Sequence, residues 1–139
     1  MNNTLIERII KHEALKLKPY RCSAGKLTIG VGRNLDDNGI TEEEARYLLK
    51  NDIRNCHSEC LHNFPFYAEM DSVRQGVVLE MCFNLGINRL KGFKKMLKAC
   101  ELKNYALASQ EMLNSRWALQ VGQRARTMAY IMQMGVECE

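Results

Sequence analysis

The stretch that decides the fold is TLIERIIKHEALKLKPYRCSAGKLTIGVGR, residues 4–33. Thr4, with Glu7 three residues later, has the form of a capping box and predicts the start of a helix. The apolar residues that follow recur at helical spacing and predict one buried face: Leu5, Ile6, Ile9 and Ile10. Pro19 then blocks continuation of a helix, because it lacks a backbone N–H and its ring clashes with the preceding turn.

Glu13 falls on the apolar face of this predicted helix. It follows Ile9 by four residues and Ile10 by three, so its carboxylate continues the hydrophobic stripe. An unpaired buried carboxylate is costly, so one interpretation has Glu13 turning to solvent or pairing with Lys16 or a distant arginine. The other interpretation is a proton donor, because desolvation favours the protonated form of a carboxyl group.

A β-hairpin is predicted next, with residues 23–25 as its turn. The strand after the turn alternates apolar residues with small or polar ones, as a half-buried strand does; the apolar positions are Leu27, Ile29 and Val31. Thr28 lies on the opposite face, which Gly30 and Gly32 leave bare, so that a ligand can approach the backbone closely. The hairpin is therefore expected to bring a thiol, Cys22, and a hydroxyl, Thr28, back towards the carboxylic acid of the helix.

The spacing Glu13-x8-Cys22-x5-Thr28 resembles the Glu-x8-(Asp or Cys)-x5-Thr triad of the phage-type lysozymes, the endolysins of glycoside hydrolase family 24. Further motifs follow in that family's order and at similar distances: Thr28-Ile29-Gly30-Val31-Gly32, Phe83-Asn84-Leu85-Gly86, Gly92-Phe93, Ser115-Arg116-Trp117 and Arg124-Ala125-Arg126. The resemblance covers about the whole chain. It implies an α+β, lysozyme-like fold, with a small β-hairpin lobe and a larger helical lobe joined by a long helix.

We therefore expect a single domain over residues 1–139. The hairpin lobe is expected at about 14–40, and the helical lobe is expected to comprise the first helix and about 62–139. The sequence TEEE at 41–44 predicts the start of the linking helix, with a cap, a box partner and acids near the positive helix end. Residues 35–39 are predicted to form a turn-rich, solvated loop before it.

The resemblance implies a muramidase, which hydrolyses the β-1,4 bond between N-acetylmuramic acid and N-acetylglucosamine, with inversion. Glu13 would protonate the leaving oxygen, and Thr28 would hold the attacking water. Cys22 stands where many relatives have Asp and would position or activate that water. Substrate-binding roles carry over to Asn34, Phe83, Asn84, Arg116 and Arg124.

Alternatives to this assignment stay open. One is a non-catalytic peptidoglycan-binding or structural module of the same fold. Another is a thiol enzyme with Cys22 as nucleophile and His12 or His57 as base. A thiol is mostly neutral at neutral pH; the carboxylate of Glu13 would disfavour the thiolate and Arg21 would favour it.

A further departure from the family pattern concerns Arg33. Relatives often have a His there, paired to an Asp. An ion pair is expected to remain at Arg33, without the pH sensitivity of a histidine.

Composition limits the classes of function. Hydrophobic residues make up 46% of the chain and charged residues 26%, which is ordinary globular usage. The net charge of +4 is too small to argue for nucleic acid and suits an anionic polymer such as peptidoglycan. No apolar run approaches the roughly 18 residues of a membrane span, and no signal-peptide pattern is visible. We expect a monomer without cofactors, found in the host cytoplasm and acting on the cell wall after release.

The chain has six cysteines, at positions 22, 56, 60, 82, 100 and 138. Free thiols are expected, because no secretion signal accompanies them. Cys56 and Cys60 lie near His57 and His62, but the second pair of ligands that a zinc site needs is missing. Both cysteines continue the apolar stripe of their helix, which favours core packing, so no metal site is predicted. The eight methionines are likewise expected to fill the core.

Overall fold

The computed structural model describes residues 2–138. Its described part is an α+β fold of nine α-helices, one 3-10 turn and a three-stranded antiparallel sheet, as the resemblance predicts. The chain separates into two compact units, Met1–Leu48 and Leu49–Glu139. The first helix falls in the unit that holds the sheet, whereas the sequence grouped it with the helical lobe. The single-domain description stays a prediction.

Helix α1 spans Asn3–Glu13. Its cap is Asn2, whose Oδ1 accepts hydrogen bonds from the backbone N–H groups of Thr4 at 2.7 Å and Leu5 at 3.3 Å. The predicted capping box at Thr4 is therefore wrong. An asparagine two residues earlier satisfies the free N–H groups of the first turn, and Thr4 is itself one of the donors. The predicted buried face of this helix is also wrong, because no residue of α1 is buried.

The predicted hairpin is confirmed, with a short third strand added to it. The strands are β1 Lys16–Arg21, β2 Leu27–Gly30 and β3 Arg33–Asn34, antiparallel in the order β1-β2-β3. Tyr20 pairs with Thr28 across the turn at 23–25, and this register decides which face each side chain occupies. Pro19 is accommodated in β1 because β1 is an edge strand, which can lack a hydrogen-bond donor.

The segment after β3 is a short helix, α2, Leu35–Asn38. The predicted loop is wrong, because residues 35–38 form one helical turn, although Asp36, Asp37 and Asn38 are exposed as predicted. The two acids also bind the hairpin. Asp36 accepts a hydrogen bond from the backbone N–H of Leu27 at 2.7 Å. Lys26 donates to Asp37 at 3.1 Å. These bonds hold α2 against the turn end of the sheet.

Helix α3 spans Glu42–Asn63 and begins in the first unit and ends in the second. Its predicted capping box is confirmed: Glu44 N–H donates to Thr41 Oγ1 at 3.1 Å, and Thr41 N–H donates to Glu44 Oε1 at 2.8 Å. The predicted apolar stripe is buried only at Cys56 and Cys60. The apolar residues nearer the start of α3 are exposed.

The rest of the second unit is helical. Its elements are a 3-10 turn Tyr67–Glu69, α4 Ser72–Leu85, α5 Ile87–Lys91, α6 Lys94–Glu101, α7 Tyr105–Leu113, α8 Arg116–Val121 and α9 Gln123–Met134. Asp71 caps α4 by accepting a hydrogen bond from the N–H of Arg74 at 3.1 Å. Gly86 ends α4 with a φ of 82°. Within residues 2–138, no helix combines the length and the apolar character that crossing a membrane requires.

The core lies in the second unit and is rich in sulfur. Its buried methionines are Met70, Met81, Met96, Met112, Met128 and Met132. Methionine fills irregular gaps because its chain is unbranched and flexible, and the predicted core role is confirmed for these residues. Trp117 is 3% exposed, and its Nε1 donates a hydrogen bond to Oδ1 of Asn84 at 2.7 Å.

The cysteines are free thiols, as the sequence predicts. Four of them are buried: Cys56, Cys60, Cys82 and Cys100. Burial raises the pKa of Cys56, Cys60 and Cys82 to about 11. It raises the pKa of Cys100 to about 12. These thiols are therefore protonated at neutral pH, and core packing of Cys56 and Cys60 is confirmed.

Arg33 forms the expected ion pair, and its partner is Glu44. Two nitrogens of Arg33 donate to the two carboxylate oxygens at 2.8 and 2.6 Å, and Nη1 also donates to the carbonyl of Gly39 at 3.1 Å. The guanidinium of Arg33, followed by the backbone N–H of Thr41, lowers the pKa of Glu44 from 4.5 to about 2. The bidentate geometry links β3 to the first turn of α3.

The dependence of stability on pH tests this pair. Because the folded pKa of Glu44 lies below its ordinary value, the pair stabilises the fold fully above pH 4.5, and this stabilisation is lost as the pH falls towards 2. We expect Glu44→Gln to lower the Tm at neutral pH, and its difference from wild type to shrink as the pH falls through that range. The exposed pair of Arg46 and Glu42 supplies the control: Glu42→Gln should change the Tm little at any of these pH values. An equal loss of Tm at every pH would show that Glu44 acts by packing and not by charge.

Candidate active site

Glu13 is the last residue of α1, at the point where the chain turns into the sheet. The next residue, Ala14, donates its N–H to the carbonyl of Ile10 at 2.8 Å and has a φ of 68°. A positive φ costs a residue with a Cβ on the order of 1 kcal/mol. This conformation ends the helix directly after Glu13 and redirects the chain into β1, Lys16–Arg21.

The carboxylate of Glu13 lies against the turn between β2 and β3. Gly32 in this turn has a φ of 69°, and a Cβ placed there would lie 2.8 Å from Oε2 and 3.4 Å from Cδ of Glu13. Only glycine leaves room for this approach, since it has no Cβ and adopts a positive φ without strain. The bare face that the sequence predicts is therefore occupied at Gly32 by Glu13 itself, whereas Gly30 has open space beside it.

Cys22 and Thr28 meet at the hairpin turn. The carbonyl of Lys26 accepts hydrogen bonds from the N–H of Cys22 at 3.0 Å and from the hydroxyl of Thr28 at 2.8 Å. Thr28 is 3% exposed, while Leu27 and Ile29 are only half-buried. The face of Thr28 is therefore the more buried face of β2, contrary to the sequence expectation. Cys22 is half-buried beside it.

Backbone amides govern the ionisation of Cys22. The N–H groups of Lys26 and Ala24 lower the pKa of the Cys22 thiol, and the hydroxyl of Thr28 acts in the same direction, against desolvation. Arg21, which the sequence offered as a cationic neighbour, binds Asp36 at 3.3 Å instead. A lower pKa increases the share of thiolate, the form that takes up a proton.

Asn34, a predicted substrate-binding residue, caps α2. Its Oδ1 accepts a hydrogen bond from the N–H of Asp37 at 3.0 Å, and its Nδ2 donates to Oδ2 of Asp37 at 2.9 Å. Both ends of the amide are thus engaged within the first unit. The structure gives the side chain a structural role, and its contact with substrate stays a prediction.

The other predicted substrate-binding residues lie in the second unit: Phe83, Asn84, Arg116 and Arg124. Phe83 is 44% exposed near the end of α4. Asn84 is engaged through its Oδ1 by the indole N–H of Trp117. Arg124 donates to Oε2 of Glu80 at 2.9 Å, in a half-exposed ion pair. The ring of Phe83 is thus exposed, whereas Asn84 and Arg124 already bind neighbouring side chains.

Arg116 lines a cavity of about 460 Å³ in the second unit. Its walls carry four cationic side chains: Arg89, Lys94, Lys95 and Arg116. Glu111 is the one acid among the lining residues, and Trp117 contributes to the wall. The sequence did not indicate this cavity, because its residues come from four helices and the connections between them, whose adjacency is decided by packing.

The structure brings predicted site residues together in the first unit. Cys22 and Thr28 share the carbonyl of Lys26 in the first unit, and Glu13 lies against Gly32 there. Sequence reasoning missed the positioning role of Gly32, although the Gly-Val-Gly pattern carried a signal for it. The strained Ala14 had no signal, since alanine does not favour a positive φ.

Comparison with known sequences decides the family. A family model described as phage lysozyme matches residues 10–130. The chain belongs to the phage lysozyme family. The matched region contains every predicted catalytic and substrate-binding residue, from Glu13 to Arg124. Membership of a lysozyme family implies that this phage lysozyme is a glycoside hydrolase.

Curated relatives agree with this assignment over most of their length. The chain is similar to "Probable T4-type lysozyme 1" and "Probable T4-type lysozyme 2" of Dictyostelium discoideum, each 27% identical. These alignments cover 94% of both chains in the first case, and 97% of this chain and 96% of the relative in the second. "Endolysin" of Acyrthosiphon pisum secondary endosymbiont phage 1 is 29% identical over 79% of this chain and 74% of its own.

Alanine substitutions at Gly30 and Gly32 distinguish two effects: displacement of the Glu13 carboxylate and strain in the backbone. Gly32→Ala introduces a methyl group that must displace the carboxylate of Glu13, whereas Gly30→Ala introduces one into open space at a similar φ of 71°. We expect both variants to lose about 1–2 kcal/mol of unfolding free energy in denaturant titrations. Only Gly32→Ala should also lose peptidoglycan hydrolysis, by about 10²-fold, because the acid is misplaced. Equal losses of activity in the two variants would assign the effect to the sheet and not to the contact.

Proposed function

We propose that this phage lysozyme is a muramidase that hydrolyses the β-1,4 bond between N-acetylmuramic acid and N-acetylglucosamine of peptidoglycan, in host-cell lysis or wall penetration. The observation that carries the proposal is the carboxylate of Glu13 held against Gly32, in the unit that also contains Cys22 and Thr28. A glycosidase needs an acid to protonate the leaving oxygen and a second group that acts at the anomeric carbon. The first unit supplies a carboxyl group for the first task, and a thiol and a hydroxyl for the second.

Glu13 is the proposed general acid. Its position at the end of α1 leaves the side chain exposed within the first unit. Among residues 2–138, neither Lys16 nor any arginine forms an ion pair with it. Its carboxyl group is therefore not held by an ion pair and can reach a leaving oxygen, to which it donates its proton in the proposed reaction.

Thr28 and Cys22 are the proposed holders of the attacking water. The hydroxyl of Thr28, which is 3% exposed, donates its proton to the carbonyl of Lys26 at 2.8 Å, and in the proposed reaction the lone pairs of its oxygen hold the water. Cys22, whose pKa is lowered by backbone N–H groups, is suited to take the proton that the water loses on attack. A water held in this way attacks opposite the leaving group, which supports an inverting reaction.

The positive charge of the cavity beside Arg116 suits peptidoglycan as a substrate. The cavity beside Arg116 carries four cationic side chains against one acid, and peptidoglycan carries carboxylates on its lactyl and peptide groups. We include the substrate-binding roles of Asn34, Phe83, Asn84, Arg116 and Arg124 in the proposal. A monomer made in the host cytoplasm, which reaches the wall after release, fits this substrate.

Release of reducing sugar ends from purified peptidoglycan tests the proposed function. Wild type should generate new ends, and Glu13→Gln should fold normally and lose at least about 10²-fold in turnover, because an amide has no proton to donate to the leaving group. Glu7→Gln, which changes an exposed acid of the same helix, is the matched control and should keep its activity. A wild-type protein that sediments with peptidoglycan but releases no ends would instead be the non-catalytic wall-binding module.

The configuration of the first-formed sugar end assigns the role of Cys22. We expect the α-anomer by proton NMR, because a single attack by water inverts the anomeric carbon. Cys22→Asp should then stay active, since an ionised carboxylate also accepts the proton of water. A β-anomer would contradict this mechanism and make Cys22 a nucleophile that forms a covalent glycosyl intermediate.

His57, one candidate base for such a thiol enzyme, has its Nδ1 2.8 Å from the hydroxyl oxygen of Tyr67.

A further inference from the structure

A cluster of thiols and one carboxylate lies in the second unit and includes none of the residues proposed for catalysis or substrate binding. Cys56 and Glu59 are one turn apart on α3, and Cys82 comes from α4. Two sulfur atoms and one carboxylate oxygen of these residues all lie within 4.8 Å of one another. Three potential metal-ligand atoms from two helices are thus close neighbours.

The cluster is held in place from both helices. The thiol of Cys82 donates a weak hydrogen bond to the carbonyl of Cys56 at 4.0 Å, which joins α4 to α3 at the level of the cluster. Cys82 is 1% exposed and Cys56 is 9% exposed. Glu59 is half-buried, so the carboxylate is the side of the cluster nearest to solvent and offers a path for an ion to reach the two sulfur atoms.

We propose that Cys56, Glu59 and Cys82 form a binding site for a thiophilic divalent cation of the Zn²⁺ class. Zinc is held by thiolate, imidazole and carboxylate ligands in tetrahedral geometry, with Zn–S distances of about 2.3 Å. Ligand atoms on such an ion are roughly 3.5–4 Å apart, so small side-chain rotations bring the three groups to this spacing. Water completes the fourth position from the side of Glu59.

Charge balance follows from the ligand set. On binding, Cys56 and Cys82 each release one proton to solvent, and Glu59 coordinates as its carboxylate. Two thiolates and one carboxylate together carry three negative charges, of which the ion neutralises two. Burial raises the pKa of both thiols, so protons hold these sites in the free protein and a divalent ion replaces them. The soft sulfur ligands disfavour Mg²⁺ and Ca²⁺, which prefer oxygen.

The sequence did not predict this site, because one of its proposed ligands comes from a second helix. The sequence weighed Cys56 with Cys60, His57 and His62, which are neighbours along one helix. The third ligand is instead Cys82, 26 positions further along the chain, and the packing of α4 on α3 supplies it.

Metal titration of the reduced full-length protein tests the site. Zn²⁺ and Cd²⁺ are the probes, added after treatment with a chelator and in the presence of a phosphine reductant. We expect binding of one ion per chain, an ultraviolet absorption band from Cd²⁺–thiolate charge transfer, and a Tm that rises with Zn²⁺ concentration. Mg²⁺ at the same concentration should give neither the band nor the rise in Tm.

Three variants identify the ligands. Cys82→Ser should abolish the Cd²⁺ band, and Glu59→Gln should weaken Zn²⁺ binding at least about tenfold. Glu59→Gln is included because a half-buried position tolerates this change even if Cys82→Ser fails to fold. Cys100→Ser is the matched control, since Cys100 is a buried thiol outside the cluster, and it should leave the band unchanged.

Several results would overturn the proposal. These are an absent Cd²⁺ band in wild type, a band that survives Cys82→Ser, or Zn²⁺ affinity that is the same in Glu59→Gln as in wild type. The cysteines would then serve only as core packing. Hydrolysis of peptidoglycan does not enter this test, so its outcome is independent of the proposed muramidase activity.

Discussion

The approach of the Glu13 carboxylate to the backbone at Gly32 is the constraint on which the first unit depends. It requires α1 to end at Glu13, the chain to reverse at Ala14, and the turn between β2 and β3 to present no Cβ. A methyl group has different consequences at Ala14 and at Gly32. At Ala14 the protein tolerates a strained φ, whereas at Gly32 a methyl group would collide with the acid itself.

The hairpin turn is held by hydrogen bonds that leave little freedom to its polar groups. The carbonyl of Lys26 accepts two donors, the N–H of Cys22 and the hydroxyl of Thr28, and Asp36 binds the N–H of Leu27 from α2. Buried side-chain polar atoms in the described part of the chain all have hydrogen-bond partners. Such full satisfaction fixes the orientation of side chains, which a catalytic group needs before substrate arrives.

The second unit is stabilised differently, by a core of methionines, cysteines and Trp117. Sulfur-containing side chains are polarizable and adaptable, and they fill the irregular spaces between the short helices of this unit. Packing of this core also places free thiols next to one another. At Cys56 and Cys82, a core contact therefore also brings potential ligand atoms within 4.8 Å of one another.

Local patterns along the sequence were sufficient for much of the fold. The hairpin turn at 23–25 and the capping box of Thr41 and Glu44 depend on near neighbours along the chain, and both are confirmed. The α+β class, which the family resemblance implied, is confirmed as well. The start of α1 was misassigned because two capping residues, Asn2 and Thr4, compete within one turn. Helix α2 was missed because its acids are ordered by the hairpin, which the local pattern does not include.

The candidate catalytic residues, Glu13, Cys22 and Thr28, were selected from sequence by their spacing and their resemblance to the family. Spacing and resemblance could not predict the surroundings of these residues. Whether Thr28 is buried, which groups lower the pKa of Cys22, and what fills the space at Gly32 all depend on contacts between separate elements. The sequence by itself determined the first helix, the hairpin, the start of α3 and the chemical groups available, because these are local or covalent properties. Only the tertiary structure decided which of these groups meet, because hydrogen bonding and burial act between residues that are distant in the chain.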